Sequence, residues 1–306
     1  MTTRRFFSKV GKNYCRNLFL NIIHQQSTEN HKMILLAASN KDVAGINIAS
    51  NVLKNYSFTK TSQTFQENPI YTAQINKKHV DLIRLKEETV YAQNLLNSFP
   101  DPDLVVFLSR HSSQSGKPTL SVHTPGNLAE AKLGGLPRTL SVCPAAAMRN
   151  ALKSLQQFKT EMKLDYEVSY ECTHHGPSLN VPTMFVELGS SPQQWSDAKA
   201  AEVVANAALQ AITNFSAPKE SAVLGIGGTH YNQNFTKMAL NNEALFGHMI
   251  PKYALSNLDN EILLHCIKRT LEKIDHAILD WKGINSQYKT KLLNMLEALE
   301  LPYKKI

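Results

Sequence analysis

The sequence predicts an α/β fold with three layers, in which a mixed and mostly parallel sheet lies between helices. Two observations lead to this class. Short runs rich in β-branched and aromatic residues alternate with longer runs of helical periodicity. The chain has 306 residues, 42% of them hydrophobic, which is enough to bury one large core. No apolar run reaches the roughly 20 residues that a membrane-spanning helix needs, so no membrane association is expected.

The predicted strands begin at Met33. Runs typical of strands occupy 33–38, 70–75, 80–85, 103–108, 120–123, 166–172, 183–188 and 222–226. Asn76, Lys77 and Lys78 indicate a hairpin turn between the second and third of these strands. The polar stretch 57–68 is predicted to be a loop.

Helices are predicted where apolar residues recur every three or four positions. The first helix follows a cap at 39–42 and ends near Lys54, and the helix 145–163 begins after Pro144. The other predicted helices are 90–99, 197–212 and most of the last fifty residues. Within the last fifty, apolar residues between 262 and 279 are spaced for one buried helical face, and a further amphipathic helix covers 286–300. No repeat or linker interrupts the pattern, so 33–306 is predicted to form one catalytic unit.

Residues 1–32 differ in charge from the rest of the chain. They carry six basic residues and one acidic residue, which leaves 27 basic and 24 acidic residues, a net charge of +3, for 33–306. This basic N-terminal extension has the composition of an organelle transit peptide, and it equally fits translation from a start codon upstream of Met33. A net charge of +3 on a domain of this size does not by itself indicate a nucleic-acid partner.

Four cysteines are scattered along the chain without a CxxC pair: Cys15, Cys143, Cys172 and Cys266. This pattern predicts reduced thiols in an intracellular protein. We therefore expect a cytoplasmic location, or a mitochondrial or plastid one if residues 1–32 are a transit peptide.

Histidine follows a predicted strand in three distant segments. These segments are Ser-Arg-His at 109–111, Thr-His-His-Gly-Pro at 173–177 and Gly-Gly-Thr-His-Tyr at 227–231. Open α/β sheets build their sites outside the carboxyl ends of the strands, so segments more than a hundred residues apart can converge there. The pattern predicts one site that contains all three segments, which is an arrangement typical of an enzyme.

Longer motifs around these histidines carry a family resemblance. The runs are FLSRHSSQSGKPTLSVHTPGN (107–127), YECTHHGPSLNVPTMFVELGSS (170–191), VLGIGGTHYNQNFTKMAL (223–240) and GHMIPKYAL (247–255). With MILLAASNKDVAGINIA (33–49) and DWKGI (280–284), they resemble the archaeal and plant type of D-aminoacyl-tRNA deacylase. The resemblance covers essentially 33–306 and leaves out the basic extension.

The resemblance implies a reaction, a cofactor and a fold. It implies hydrolysis of the ester between a D-amino acid and the 3′-terminal adenosine of tRNA, which returns the tRNA to translation as a proofreading and recycling activity. It implies two zinc ions per chain and an α/β fold related to phosphorylases and peptidyl-tRNA hydrolase. The implied partner is D-aminoacyl-tRNA, and we expect a monomer.

The residue types in the motifs fit this chemistry. Zinc binds neutral imidazole nitrogens and carboxylate oxygens, and a catalytic zinc site keeps one position open for water. The candidate metal ligands are His174, His175, His230, Glu171 and Glu187. Bound water loses a proton near pH 7 at such a site, which yields a nucleophile for an ester carbonyl.

Further candidates surround these ligands. Arg110 and Lys117 are candidate catalytic residues that would stabilise an oxyanion or hold the terminal phosphates. His111 and His175 are candidate catalytic residues as well. His111 could be a ligand, a general base or a phosphate contact, and His175 could orient a ligand or be one itself. His123 is expected at the rim of the site.

Candidate substrate-binding residues lie in two other segments. Gly227 and Gly228 do not form a known phosphate-binding motif, and they are expected to allow close approach of the substrate. Lys282 belongs to a predicted phosphate-binding face made of six cations: Lys268, Arg269, Lys273, Lys282, Lys289 and Lys291.

Other function classes remain open at this point. A zinc-dependent amidase or peptidase, or an enzyme like peptidyl-tRNA hydrolase, would use the same histidines. A noncatalytic RNA-binding protein would need phosphate contacts but no metal site.

Overall fold

Residues 33–306 are described by the structure, a computed structural model, and they form two β-sheets with helices packed on them. The predicted basic extension, residues 1–32, lies outside the described residues. None of the helices in 33–306 has the length and apolar character that crossing a lipid bilayer requires.

The large sheet has eight strands. They are β1 (Met33–Ser39), β2 (Thr59–Phe65), β3 (Asn68–Ile75), β4 (Lys78–Leu85), β5 (Leu104–Arg110), β6 (Thr119–His123), β7 (Glu167–Tyr170) and β8 (Thr183–Gly189). Their order across the sheet is β2-β3-β4-β1-β5-β8-β6-β7. The central pairs β4-β1, β1-β5 and β5-β8 are parallel, as is β6-β7, whereas β2-β3, β3-β4 and β8-β6 are antiparallel.

The small sheet has four strands, all parallel. They are β9 (Ala222–Gly227), β10 (Phe246–Ile250), β11 (Ile274–Asp280) and β12 (Tyr303–Lys305), in the order β10-β9-β11-β12. The α-helices are α1 (Val43–Asn55), α2 (Ala145–Glu161), α3 (Pro192–Trp195), α4 (Ala198–Asn214), α5 (Gln233–Leu240), α6 (Asn260–Lys268) and α7 (Ser286–Ala298). This mixed and mostly parallel α/β architecture confirms the predicted fold class.

Two predicted segments have a different structure at the outer part of the large sheet. The stretch 57–68 was predicted as a loop, but most of it is β2, a mostly exposed strand at the end of the sheet. An edge strand in water needs no apolar face, so the hydrophobic pattern could not reveal it. The segment 90–99 was predicted as a helix, but it contains two short 3₁₀ turns, Thr89–Tyr91 and Leu95–Asn97.

The C-terminal region also differs from the prediction. The apolar positions between 262 and 279 do not lie on one helix, because α6 ends at Lys268 and Ile274–Asp280 is the buried strand β11. A short apolar run fits a buried strand and a buried helix equally well, and this ambiguity explains the error. The strand β10 was not predicted.

The two faces of the large sheet are built differently. One face packs against α1, α2 and α4 through side chains such as Val106, Val122 and Val186. Successive side chains of a strand point to opposite faces. The residues between them therefore lie on the second face, where Phe107 and Phe185 contact Leu95 and Leu179 of irregular segments. The candidate site lies on this second face.

Candidate active site

Polar residues occupy alternate positions on the second face of the large sheet. Ser109 of β5 pairs in register with Glu187 of β8, which pairs with Ser121 of β6. His123, two residues beyond Ser121, lies on the same face. Glu171 is attached to β6 through its backbone, since its N–H donates to the carbonyl of Val122 at 3.1 Å. The site therefore extends over the face where β6 and β8 pair antiparallel, and is not confined to the strand ends.

Glu171 joins the three histidine segments. Its Oε1 lies 3.1 Å from Nδ1 of His111, and its Oε2 lies 2.9 Å from Nε2 of His230 and 3.7 Å from Nε2 of His174. The Glu171 side chain is only 1% exposed. The predicted convergence of the three segments is thus present, and a buried carboxylate lies at its centre.

Glu187 faces the same ring nitrogen of His111 as Glu171 does. Its Oε1 accepts a hydrogen bond of 2.7 Å from Ser109, and its Oε2 lies 3.8 Å from His111 and 3.7 Å from His123. Burying two carboxylates is costly unless cations or donors compensate them, so their position among imidazoles points to a cation-binding role.

Backbone carbonyls fix the orientation of two neighbouring imidazoles. His174 donates from Nδ1 to the carbonyl of Cys172 at 2.8 Å, and His175 donates from Nδ1 to the carbonyl of Gly176 at 2.7 Å. These bonds leave Nε2 of both rings available as lone-pair donors, which is how metal-binding histidines are commonly held. His175 has a φ of 41°, an unusual backbone conformation for this residue, and its carbonyl accepts a 2.7 Å bond from Gly126.

His123 is buried at the centre of the site, although the sequence placed it at the rim. Its ring is 0% exposed, and neither ring nitrogen has a hydrogen-bond partner in the described part of the chain. The ring stacks on Phe185 at 4.8 Å and lies 4.3 Å from the ring of His174. Buried imidazole nitrogens normally have partners, so this ring has the environment of a metal ligand.

The two carboxyl groups have opposite pKa shifts. Burial raises the pKa of Glu171, but His111, His230 and His174 outweigh burial and hold this pKa well below its usual range. Burial and the charge of Glu171 raise the pKa of Glu187 well above its usual range. Environments that separate the pKa values of two neighbouring carboxyl groups are typical of functional sites.

Burial favours the neutral form of three imidazoles, those of His123, His174 and His175. Burial lowers the pKa of His123 to about 4, and burial together with His123 lowers the pKa of His175 to about 3. Burial and the neighbouring His175 lower the pKa of His174 well below its usual range. Burial also opposes the charged form of His111, but Glu171 and Glu187 outweigh it and raise the pKa of His111. Neutral imidazole is the form that binds metal ions.

Three cavities surround the cluster. His174, His175 and Leu133 line both a cavity of about 550 Å³ and a cavity of about 420 Å³. The larger one continues between the 126–133 loop and Tyr253, and the smaller one opens on Glu171, Glu187 and Arg110. A third cavity of about 330 Å³ lies between His111, Tyr231 and a hydroxyl-rich loop that contains Lys117. The reactive groups are therefore accessible from several directions.

The two predicted catalytic cations have different surroundings. Arg110 lines the 420 Å³ cavity, where its guanidinium lies 3.2 Å from Glu88 and its backbone N–H donates to Asp42 at 2.7 Å. Lys117 is exposed and forms an ion pair with Glu167 at the third cavity. Arg110 is thus held within the site, whereas Lys117 lies at its outer surface.

The predicted substrate-binding glycines pack against their own chain. Gly227 has a φ of 105°, and a Cβ there would meet Ile284 at 2.7 Å. Gly228 has a φ of 73°, and a Cβ there would meet Asn232 at 2.2 Å. Their contacts fix the loop of His230 against the Trp281–Gly283 turn, which contains the exposed Lys282.

The six cations of the predicted phosphate-binding face do not share one environment. Arg269 donates to the carbonyls of Leu140 and Leu179, and Lys291 donates to the carbonyl of Leu258 at 2.7 Å. Lys289 lies 4.5 Å from the ring of Trp281. Lys282 and Lys289 therefore belong near the Trp281 turn, while Arg269 and Lys291 support the fold.

Sequence reasoning missed several residues of the site. They are Asp42, which was expected only near a helix cap, and Glu88, Tyr231 and Tyr253. Tyr231 contacts Nε2 of His111 at 3.2 Å, and Tyr253 contacts Nδ1 of His230 at 3.1 Å. Both tyrosines lie inside the family motifs, which was the available signal. The alternation of Ser121 and His123 with apolar residues could have placed His123 inside the site.

The donor atoms of the site form three overlapping groups. In each group the ligand atoms lie within 4.8 Å of one another: His123, His174 and His175; Glu171, His174 and His230; and His111, Glu171 and Glu187. An α/β fold with buried imidazoles, shifted carboxyl groups and adjoining cavities defines an enzyme.

Comparison with known proteins gives the family. The family model described as D-aminoacyl-tRNA deacylase matches residues 98–304. The chain belongs to the D-aminoacyl-tRNA deacylase family, which makes it a hydrolase and confirms the resemblance seen in the motifs.

Relatives and a solved structure agree with this family. The D-aminoacyl-tRNA deacylase of Thermococcus kodakarensis is 34% identical over 277 residues, 89% of this chain and 99% of the relative. That of Methanococcus maripaludis (strain C7) is 36% identical over 244 residues, 75% of this chain and 93% of the relative. The crystal structure of AF0625, a conserved protein of unknown function, matches with a TM-score of 0.79 at 32% identity, covering 89% of this chain and 95% of that one.

Proposed function

We propose that this chain hydrolyses the ester of D-aminoacyl-tRNA and releases tRNA and a free D-amino acid. Membership of the deacylase family supports the substrate. The observation that carries the choice of site is the position of Glu171, which lies within 4 Å of ring nitrogens of His111, His174 and His230. We expect the activity to serve proofreading of translation in the cytoplasm.

Zinc fits the residues of this site. The buried ring of His123 has two ring nitrogens without hydrogen-bond partners among the described residues, and it lies beside His174 and His175. His174 and His230 with Glu171 form a second group of the same donor types. Imidazole nitrogens and carboxylate oxygens are the donors that zinc prefers. Together the two groups offer five such residues, and His174 would hold one ion only, because its Nδ1 is bonded to the Cys172 carbonyl. When bound, zinc would polarise the ester carbonyl and acidify a water molecule.

The chain's own groups would do the rest of the chemistry. His111 lies between Glu171 and the hydroxyl of Tyr231, so it can take a proton from the attacking water and give one to the departing 3′-oxygen of the adenosine. Arg110, held by Glu88 at the adjoining cavity, can stabilise the oxyanion. The bonds from His174 and His175 to backbone carbonyls would keep both rings in one orientation.

One experiment tests this function. The release of amino acid is measured from the same tRNA charged with a D-amino acid or with its L enantiomer. The measurement is repeated after treatment with a chelator and again after zinc is restored. We expect rapid release from the D form only, loss of release with the chelator, and recovery with zinc.

The outcomes separate the components of the proposal. Equal release from both enantiomers would contradict selectivity for D-aminoacyl esters. Full activity after verified removal of metal would contradict the zinc requirement while leaving the deacylase function intact. Tight tRNA binding without any release would favour a noncatalytic RNA-binding protein.

A further inference from the structure

The carboxyl ends of the small sheet form one continuous edge. All four strands are parallel, and Ile250, Ile226, Leu279 and Lys305 are successive partners across the sheet. Neighbouring strands lie about 4.8 Å apart, so the row from β10 to β12 spans about 14 Å. Every segment that leaves a strand at this edge therefore lies within one short row.

The histidine cluster lies at one end of this row. Tyr253 follows β10 and His230 follows β9, and the two side chains meet at 3.1 Å between the hydroxyl and Nδ1. The backbone N–H of Lys252 donates to the carbonyl of Gly228 at 2.9 Å, which ties the two segments together. Tyr253 is 59% exposed at the mouth of the 550 Å³ cavity.

Cations and an aromatic ring occupy the other end of the row. The Trp281–Gly283 turn follows β11. The Trp281 ring lies 4.0 Å from the ammonium group of Lys305 and 4.5 Å from that of Lys289. Lys282 and Lys304 are exposed beside them. The turn contacts the loop of His230 directly, because a Cβ on Gly283 would meet the Cα of Gly228 at 2.7 Å.

We propose that this edge is the path along which the single-stranded 3′ end of tRNA reaches the site, with Lys282, Lys289 and Lys305 on its phosphates. The inference rests on the proposed function. Proteins bind single-stranded nucleic acid with cations that follow the backbone and aromatic rings on which bases stack. Tyr253 lies at one end of the row and the lysines are grouped over the Trp281 ring at the other end. A base can therefore stack on the exposed ring of Tyr253 while the phosphates meet the lysines and the aminoacyl ester lies at His230.

Charge-matched variants test this path. The edge variant K282Q/K289Q/K305Q removes three positive charges around Trp281, at the end of the row opposite the histidine cluster. The control variant K163Q/K199Q/K219Q removes three from exposed lysines elsewhere on the fold. Binding of uncharged tRNA is measured at several salt concentrations, and thermal unfolding confirms that both variants are folded.

The expected result is a difference between the two variants. Each phosphate contact on a single strand contributes about 0.7 to the slope of log affinity against log salt, so the edge variant should lose about 2 from this slope and bind at least about 10-fold more weakly. The control should bind like the parent. An edge variant that binds tRNA with the affinity and slope of the control would overturn the proposal.

A second substrate separates this inference from the proposed function. A 3′-D-aminoacyl-adenosine lacks the phosphates that Lys282, Lys289 and Lys305 would contact, so the edge variant should lose far less activity on this compound than on D-aminoacyl-tRNA at low concentration. If the parent protein cleaves neither this compound nor D-aminoacyl-tRNA, the proposed function fails, while the binding comparison still decides the path. If the edge variant does not fold, K282Q in the exposed turn replaces it, with an expected slope change of about 0.7.

Discussion

The two sheets contribute opposite environments to one site. The large sheet supplies Glu171, Glu187, His111 and His123, all of them at most 4% exposed. The small sheet supplies the exposed Tyr253 and the exposed lysines at its carboxyl edge. Buried groups keep fixed positions and shifted pKa values, whereas exposed cations stay hydrated and attract phosphates over a distance. The contrast favours bond cleavage at the buried groups of the large sheet together with His230, and tRNA binding at the exposed edge of the small sheet.

The largest effect is expected from removing His174 or His230. His174 belongs to two of the three donor groups, and His230 joins the small sheet to Glu171. His174→Ala and His230→Ala should each reduce deacylation more than about 10⁴-fold, because loss of a general base alone costs about 10² to 10⁴. Single-turnover kinetics and the zinc content of each variant measure this. A smaller loss with zinc retained would assign these residues to acid–base catalysis instead.

A substitution at His123 separates metal binding from folding. In His123→Phe the new ring can stack on Phe185, and the change removes two nitrogens that have no hydrogen-bond partner among the described residues. We expect the thermal stability of the metal-free protein to be kept, since an unsatisfied buried polar group costs about 1 to 3 kcal/mol. Zinc content should fall, and activity should drop at least about 100-fold. Unchanged zinc and activity would exclude His123 as a ligand.

Arg110 and Lys117 provide a comparison between a held cation and an exposed one. Arg110→Gln should lower the rate of the chemical step by about 10² to 10³-fold, because a preorganised charge stabilises an oxyanion strongly. Lys117→Gln should cost much less, since its ion pair with Glu167 lies at the exposed surface. Single-turnover rates at saturating enzyme measure both effects. Equal losses would mean that Lys117 also reaches the reacting atoms.

The smallest effect concerns stability and pH, at a buried histidine outside the donor groups. His248 donates to the carbonyl of Arg269 at 3.2 Å and contacts Thr173 at 3.0 Å, and burial lowers its pKa to about 3. In the unfolded chain this pKa returns to about 6.5, so the unfolded state binds more protons between these values. His248 therefore destabilises the fold progressively as pH falls below about 6.5.

His248→Gln tests this dependence, because glutamine keeps a donor for the Arg269 carbonyl but cannot take up the proton. Stability of the parent should fall by up to about 1.4 kcal/mol more per pH unit than that of the variant between pH 6 and pH 4. Denaturant unfolding at several pH values measures the difference. Parallel pH profiles would show that His248 does not titrate in this way.

The sequence predicted the parts of the fold that local patterns determine. The hairpin turn has positive φ values at Asn76 and Lys77, a conformation that asparagine adopts more readily than most residues, and Asp42 caps α1. It did not predict β2, whose side chains are mostly exposed, or β11, whose short apolar run also fits a helix. These elements are determined by neighbours that are distant in sequence.

The site was predictable in its composition but not in its geometry. The three motifs gave His111, His174 and His230, which lie together around Glu171. The central position of His123 depends on β6 running antiparallel to β8, and no local pattern shows this pairing. The proximity of Lys282 and Lys305 likewise depends on the strand order of the small sheet.

The division of work between the sheets can be tested with two variants and two measurements. His174→Ala and K282Q/K289Q/K305Q are each assayed for tRNA affinity and for the single-turnover rate of D-aminoacyl-tRNA hydrolysis at saturating enzyme. The account predicts that His174→Ala binds tRNA like the parent but does not hydrolyse the ester. It predicts that the lysine variant binds weakly but cleaves at the parent rate once saturated. A His174→Ala variant that cleaves at the parent rate, or a lysine variant that binds like the parent, would contradict it.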